Sequence, residues 1–120
     1  MENLRLCDSE YKFMTLVWKH APIGSGKLVD LCREELGWKK STTYTVIKKL
    51  CERGFIQNEN AIVTVLVEQA AVQAEESDYF IERTFGGSLP GFLAAFLGNR
   101  KLKPQEVEEI RKMLDQYHEK

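Results

Sequence analysis

The chain has 120 residues, a formal net charge of -1 and a hydrophobic content of 43%. That composition describes a globular protein of one domain or two small lobes and excludes disorder. It contains no run of about 18 apolar residues that could span a membrane, and its first ten residues, MENLRLCDSE, are charged and lack the apolar core of a secretory signal.

Three cysteines, Cys7, Cys32 and Cys51, are odd in number, far apart and without a CxC or CxxC pair. This argues against a disulfide framework and against a cysteine metal site. Cys32 and Cys51 fall beside Leu31 and Leu50 on expected helix faces, as buried, inert thiols. No metal and no cofactor is expected, and the chain is placed in the cytoplasm. The charge is divided: residues 1–60 hold ten Lys/Arg against eight Asp/Glu, and residues 61–120 hold seven against ten. A nucleic-acid partner would meet a local basic patch rather than a global charge.

Asp8 to His20 reads as an amphipathic helix, with Asp8 as N-cap and Tyr11, Met14, Val17 and Trp18 at helical spacing. Ala21-Pro22 ends it, since a residue before proline is pushed out of the α region. Ile23-Gly24 is a short extended link. Ser25 caps a second helix, Gly26 to Leu36, with Leu28, Leu31, Cys32 and Leu36 inward, and Gly37 closes it in the left-handed conformation.

The stretch from Trp38 to Gly54, WKKSTTYTVIKKLCERG, follows. Lys39, Lys40, Lys48, Lys49 and Arg53 are opposed only by Glu52, a local net of +4. At about 100° per residue, Thr43, Val46, Ile47 and Leu50 share one face, while Ser41, Thr45 and Lys48 point the other way, flanked by Thr42, Tyr44 and Lys49. One face can dock into a core. The other presents short polar groups framed by cations, which suits a helix in the DNA major groove: Ser41, Thr42, Tyr44 and Thr45 toward base edges, Lys39, Lys40, Lys48, Lys49 and Arg53 toward phosphates. A basic face that merely meets solvent is the bland alternative.

The period then changes. Phe55-Ile56-Gln57 is extended, Asn58-Glu59-Asn60 is a turn tripeptide, and Ala61 to Glu68 is rich in β-branched residues, which together read as a β-hairpin. Three helices and a hairpin within about 65 residues are the elements of a winged helix-turn-helix, whose third helix enters the major groove.

The second half is helical again: Ala70 to Phe85, a break at Gly86-Gly87, Leu89 to Leu97 capped by Ser88, a turn, and a last helix from Pro104 to about His118. Leu89, Phe92, Leu93, Phe96 and Leu97 cover most of one short helix, and Val107, Ile110, Leu114 and Tyr117 form a narrow apolar seam on another. Units this small bury too little surface by themselves. A second copy of the chain resolves this, in a homodimer burying on the order of a few thousand Å² if obligate. The alternative is that these helices fold back on the first half. Two-fold symmetry also fits a major-groove reader of a pseudo-palindrome.

Catalysis finds no support. His20 and His118 stand at helix ends as dipole partners, and neither is tied by any motif to a cysteine nucleophile. Glu75-Glu76-Ser77-Asp78 lacks the spacing of a calcium loop. Neither Gly86-Gly87 nor Gly24-Ser25-Gly26 has the spacing of a phosphate loop. The expected architecture is mostly α: a winged helix-turn-helix over residues 1–69 and a helical dimerisation domain over 70–120. The competing function is a protein-interaction adaptor that uses the winged-helix scaffold without specific DNA binding.

The order and spacing of several pieces carry a resemblance. They are Ser9-Glu10-Tyr11 through Trp18, Leu36-Gly37-Trp38, Ser41-Thr42-Thr43-Tyr44-Thr45, Leu50 to Gly54, Phe80 through Leu97, and Pro104 to Leu114. With these the chain resembles the penicillinase-repressor family of bacterial transcription regulators, the BlaI/MecI group, over nearly its whole length. The resemblance implies a homodimeric winged-helix repressor of antibiotic response that binds a palindromic double-stranded operator and is not an enzyme. It further implies a membrane sensor protease as partner, with the repressor cut in its dimerisation helices. The scissile bond would fall at Ala95-Phe96, where this chain has Ala in place of the Asn of the best-known members. Two further departures stand out. The wing carries Asn58-Glu59-Asn60 where the best-known members have a Gly-basic turn and an aromatic, so wing contacts to DNA are expected to be weak. No cysteine follows Cys51, which argues against the copper sensing of relatives ending in CxC pairs.

Overall fold

The computed structural model of the chain describes residues 3–117. His118 lies outside them. The order of elements is α1 (Asp8–His20), β1 (Ile23–Gly24), α2 (Ser25–Leu36), α3 (Lys40–Glu52), β2 (Ile56–Glu59), β3 (Ile62–Val65), α4 (Gln69–Phe85), α5 (Leu89–Leu97) and α6 (Pro104–Gln116). The architecture is mostly helical with one small antiparallel sheet of order β1-β3-β2. The chain divides into two compact units, Met1–Ser77 and Asp78–Lys120, with the division inside α4. The first turn of α4 packs into the first core, where Val72 is fully buried.

The first unit is built on α1–α3 and the sheet. Its core gathers Phe13, Met14 and Val17 from α1, Leu28 and Cys32 from α2, Ile47 and Leu50 from α3, Phe55, and Ile56 and Val63 from the sheet. Of the α1 positions expected to face inward, Met14 and Val17 are buried, while Tyr11 and Trp18 are half-buried at the rim. The ring that fills the centre is Phe13, which stacks on Trp38 with centroids 6.0 Å apart. Trp18 is placed at the rim by its polar edge: its Nε1 donates to the Val67 carbonyl at 2.9 Å, tying α1 to the segment that leaves the sheet.

The helix ends follow local chemistry. Gly37 takes φ +71 and closes α2, and Gly54 takes φ +80 just past α3. The start of α1 differs by one residue from expectation. Cys7 occupies the capping position, and the Glu10 carboxylate reaches back to accept the Cys7 amide at 3.0 Å, so Asp8 is the first helical residue rather than the cap. Similarly, Gly24 precedes α2, and Ser25 begins it and is buried.

Ile23-Gly24 is a strand rather than a link. It pairs with β3 through Ile23 opposite Val63 and Gly24 opposite Ile62, so the wing is a three-stranded sheet. The hairpin turn is also displaced. Asn58 and Glu59 lie in the ladder opposite Val63 and Ile62, and the loop is Asn60-Ala61, both at positive φ of 53° and 60°. A two-residue loop of this hand matches strand twist. Register explains the shift: Ile56 and Val63 must both enter the core, and a one-residue slip would turn them outward.

The second unit comprises the later part of α4 with α5 and α6. Gly86 and Gly87, at φ +59 and +85, break the chain after α4. Ser88 caps α5, its Oγ accepting the Gly91 amide at 2.9 Å, with Pro90 in the first turn. Phe80, Phe85 and Phe92 meet edge-on with centroids 5.5–5.8 Å apart, and Phe96 extends the cluster from Phe92 at 5.6 Å. Neither α5 nor α6 contains a buried residue. No helix among the described residues is long and apolar enough to cross a membrane.

Candidate nucleic-acid interface

The site is a helix face. Thr43, Ile47 and Leu50 fasten α3 into the core, with Val46 half-buried beside them. Turning these inward turns Ser41, Thr42, Tyr44, Thr45 and Lys48 outward, and all five are exposed. Within the helix, Thr45 Oγ1 donates to the Ser41 carbonyl at 2.9 Å, which holds its rotamer on the exposed face. Thr43 Oγ1 makes the equivalent bond to Lys39 at 3.3 Å on the buried side. Short hydroxyls on one face, one exposed phenol and a frame of cations are the groups a major-groove reader needs.

The start of α3 carries two lysines and no acid. Helix N-termini favour acidic side chains because their free N–H groups carry partial positive charge. In α1 and α6 the first turn contains Asp8 and Glu10, and Glu106, while α2, α4 and α5 have no acid there. The first turn of α3 has no acid, and its entry holds Lys39 and Lys40 instead. Such an end is poorly matched to the protein's own chemistry and well matched to an external anion such as phosphate.

The structure separates the five expected cations. Lys39, Lys40 and Lys48 are exposed, and among the described residues no carboxylate pairs with them. Lys49 and Arg53 are brought instead to Glu10: Lys49 Nζ is 2.9 Å from Oε2 and Arg53 Nη1 is 3.2 Å from Oε1. Burial pushes the Glu10 carboxyl up, but the Lys49 ammonium and the Cys7 amide outweigh it and hold it below its ordinary value; the same bond raises Lys49.

Glu10 is the residue beside this helix that sequence reading passed over. Its signal was present. It stands on the buried stripe of α1, three and four residues before Phe13 and Met14, and a carboxylate on an apolar stripe requires a cation from elsewhere in the fold. Cys32 is buried as expected, whereas Cys51 is only half-buried; burial raises both thiols, and Cys7 is exposed.

The wing presents Gln57 and Glu59 to solvent, their side chains hydrogen-bonded to each other. Glu59 sits at the end of β2, not at the turn. It remains an exposed negative charge on the element that in a DNA reader follows the backbone.

The expected dimerisation residues are brought together in the second unit. Phe92, Leu93, Phe96, Leu97, Val107 and Ile110 line one apolar groove of about 430 Å³. Leu89 and Leu114 lie outside it, 53% and 67% exposed. Ala95 and Phe96 are both exposed on α5.

Three helices, a sheet-bound hairpin and an outward third helix with unpaired cations define a winged helix-turn-helix of the DNA-binding regulator class. The family model described as penicillinase repressor matches residues 6–116. The chain is 24% identical over 118 residues to the methicillin resistance regulatory protein MecI of Staphylococcus aureus, covering 95% of this chain and 96% of that one. It is 21% identical over 117 residues to the penicillinase repressor of Bacillus licheniformis, covering 94% and 91%. An uncharacterised 16.5 kDa protein of Latilactobacillus sakei is 28% identical over 112 residues, covering 88% and 75%. The chain belongs to the penicillinase repressor family. It is a transcriptional repressor and not an enzyme.

Proposed function

We propose that the chain represses transcription as a homodimer on a palindromic operator, with α3 in the major groove of each half-site. Ser41, Thr42, Tyr44 and Thr45 read base edges, and Lys39, Lys40 and Lys48 take phosphates. Lys49 and Arg53 belong to the same basic stretch but are engaged by Glu10. The observation that carries this reading is the outward face of α3, with its hydroxyls flanked by cations that no carboxylate of the described chain neutralises.

The open apolar groove of the second unit supports the dimer, since Leu97 and Ile110 remain 41% and 40% exposed in the single chain and a twin would remove that surface from water. Release from DNA follows from a cut between Ala95 and Phe96 by a membrane sensor protease in an antibiotic response. Severing α5 there destroys the apolar face and leaves each half bound through one weak half-site.

Thr45→Ala and Lys48→Ala test the roles on α3. Thr45→Ala costs about 1–3 kcal/mol on the preferred sequence and relaxes preference at one position. Lys48→Ala weakens all sequences alike and flattens the salt dependence by about one unit of log–log slope per bound protomer. Two variants that behave identically on selected and random duplexes would remove this division of labour. Binding indifferent to both salt and sequence would favour the adaptor reading, for which the acidic wing is the motivating observation.

A further inference from the structure

Glu10 is a buried carboxylate that the outward face of α3 does not use. It is 5% exposed, and it meets α3 from the core side, at the end opposite Lys39 and Lys40. Arg53 is bound more fully than a surface cation needs to be. Besides Glu10 it donates through Nη2 to the Asn3 and Arg5 carbonyls, at 3.0 and 2.6 Å, and its guanidinium lies over the Phe55 ring at 4.8 Å. A carboxylate taken out of water must be paired, and here both partners come from one end of one helix. The basic stretch is thereby asymmetric. Its free cations are at the start and middle of α3, and its committed ones are at the end.

We infer that Glu10 is a positioning residue for DNA binding, holding Lys49 and Arg53 on the protein so that phosphates are gripped at the start and middle of α3 while its last turn stays off the backbone. The inference rests on the reading of α3 as the DNA-binding helix. Phosphate contacts fix the register and orientation of a helix in the groove without reading sequence. Five equally available cations along 15 residues would allow several poses on a uniformly charged backbone. Withdrawing the two cations of the last turn leaves Lys48 and the pair Lys39 and Lys40 free, the pair at the end where the helix dipole also attracts phosphate, which favours one pose.

Counterion release gives this a measurable form. Each phosphate neutralised adds about 0.9 to the magnitude of the slope of log affinity against log salt, which is about a threefold extra loss of affinity between 50 and 200 mM salt. The experiment measures binding of the full chain to a random-sequence 30-base-pair duplex across about that salt range, for wild type, Lys48→Ala, Lys49→Ala, Glu10→Gln and the Glu10→Gln/Lys49→Ala double variant. Lys48→Ala is expected to flatten the slope by about 0.9 per bound protomer, whereas Lys49→Ala leaves it at the wild-type value. Glu10→Gln frees Lys49, while Arg53 keeps its bonds to the Asn3 and Arg5 carbonyls, so the slope steepens by about 0.9 per bound protomer, and adding Lys49→Ala takes that back. If circular dichroism shows Glu10→Gln unfolded, the comparison of Lys48→Ala with Lys49→Ala decides alone. A Lys49→Ala variant as flat as Lys48→Ala, or a folded Glu10→Gln variant with the wild-type slope, overturns the role of Glu10 while the DNA-binding reading stands. A wild-type chain whose binding ignores salt overturns that reading and this inference with it.

Discussion

At the residue scale, Glu10 joins three pieces of chain: the α1 start through the Cys7 amide, the last turns of α3 through Lys49 and Arg53, and, by way of Arg53, the carbonyls of Asn3 and Arg5. Its carboxyl is held below its ordinary value of 4.5. A depressed folded value means that the ionised form stabilises the fold fully above the ordinary value, and that this contribution fades as pH falls through the folded value. Wild type should therefore exceed Glu10→Gln in stability by about 1–2 kcal/mol at neutral pH, a range kept low because Lys49 is solvent-exposed. The gap should shrink as pH falls below the ordinary value of 4.5 and the folded carboxylate takes up its proton. Urea melts at several pH values measure this, and a gap independent of pH would mean that packing rather than charge is lost. Lys49 is raised by the same bond, so its side of the pair is complete below the ordinary lysine range and is lost as pH rises through the raised value. Phe13 is a simpler case. It is fully buried and stacked on Trp38, and Phe13→Ala should cost about 3–5 kcal/mol in the same melts. A loss under about 1 kcal/mol would show that the core closes around the gap.

At the element scale, the helices were legible and the sheet was less so. Helix ends are written in single residues, such as Gly37 and Gly54 at positive φ and Ser88 with its oxygen on the Gly91 amide. The inward face of α3 could be read from spacing, because its neighbours on the helix are its neighbours in sequence. What escaped was long-range. Ile23-Gly24 becomes a strand only because β3 lies alongside, and a two-residue segment has no period of its own. The place of Glu10 on the apolar stripe of α1 calls for a cation, but that Lys49 and Arg53 answer it emerges only once α1 and α3 are packed together. The hairpin turn moved to Asn60-Ala61 because core register outranks turn propensity: Asn tolerates positive φ, and Ala does not prefer it. That conflict yields a prediction. Ala61→Gly removes about 1–2 kcal/mol of left-handed strain against about 0.4–1 kcal/mol of added unfolded-chain entropy, for a net gain of roughly 0.5–1 kcal/mol. A denaturant midpoint that falls instead would mean that Ala61 is not strained in that turn. Serving one purpose, Glu59→Gln on the wing should tighten random-duplex binding at low salt if the wing approaches phosphates, and leave it unchanged if it does not.

For the molecule as a whole, the first unit has a closed core, while α5 and α6 of the second have none. A groove lined by Phe92, Leu93, Phe96, Leu97, Val107 and Ile110 keeps apolar side chains in contact with water that a second copy would cover. Leu114 is 67% exposed, so Leu114→Glu should leave the single chain folded and break the dimer, seen as a halved mass in sedimentation at micromolar concentration; a variant that stays dimeric would place the interface elsewhere. The most direct test of the central claim combines both units on one duplex. The purified chain is used to select a binding sequence from a random pool, and the complex is then weighed and titrated with salt. A pseudo-palindromic sequence bound by two protomers, lost steeply as salt rises and insensitive to which half-site is inverted by symmetry, is the expected result. A selected sequence without two-fold symmetry, bound by one protomer, or no enrichment at all, would contradict it.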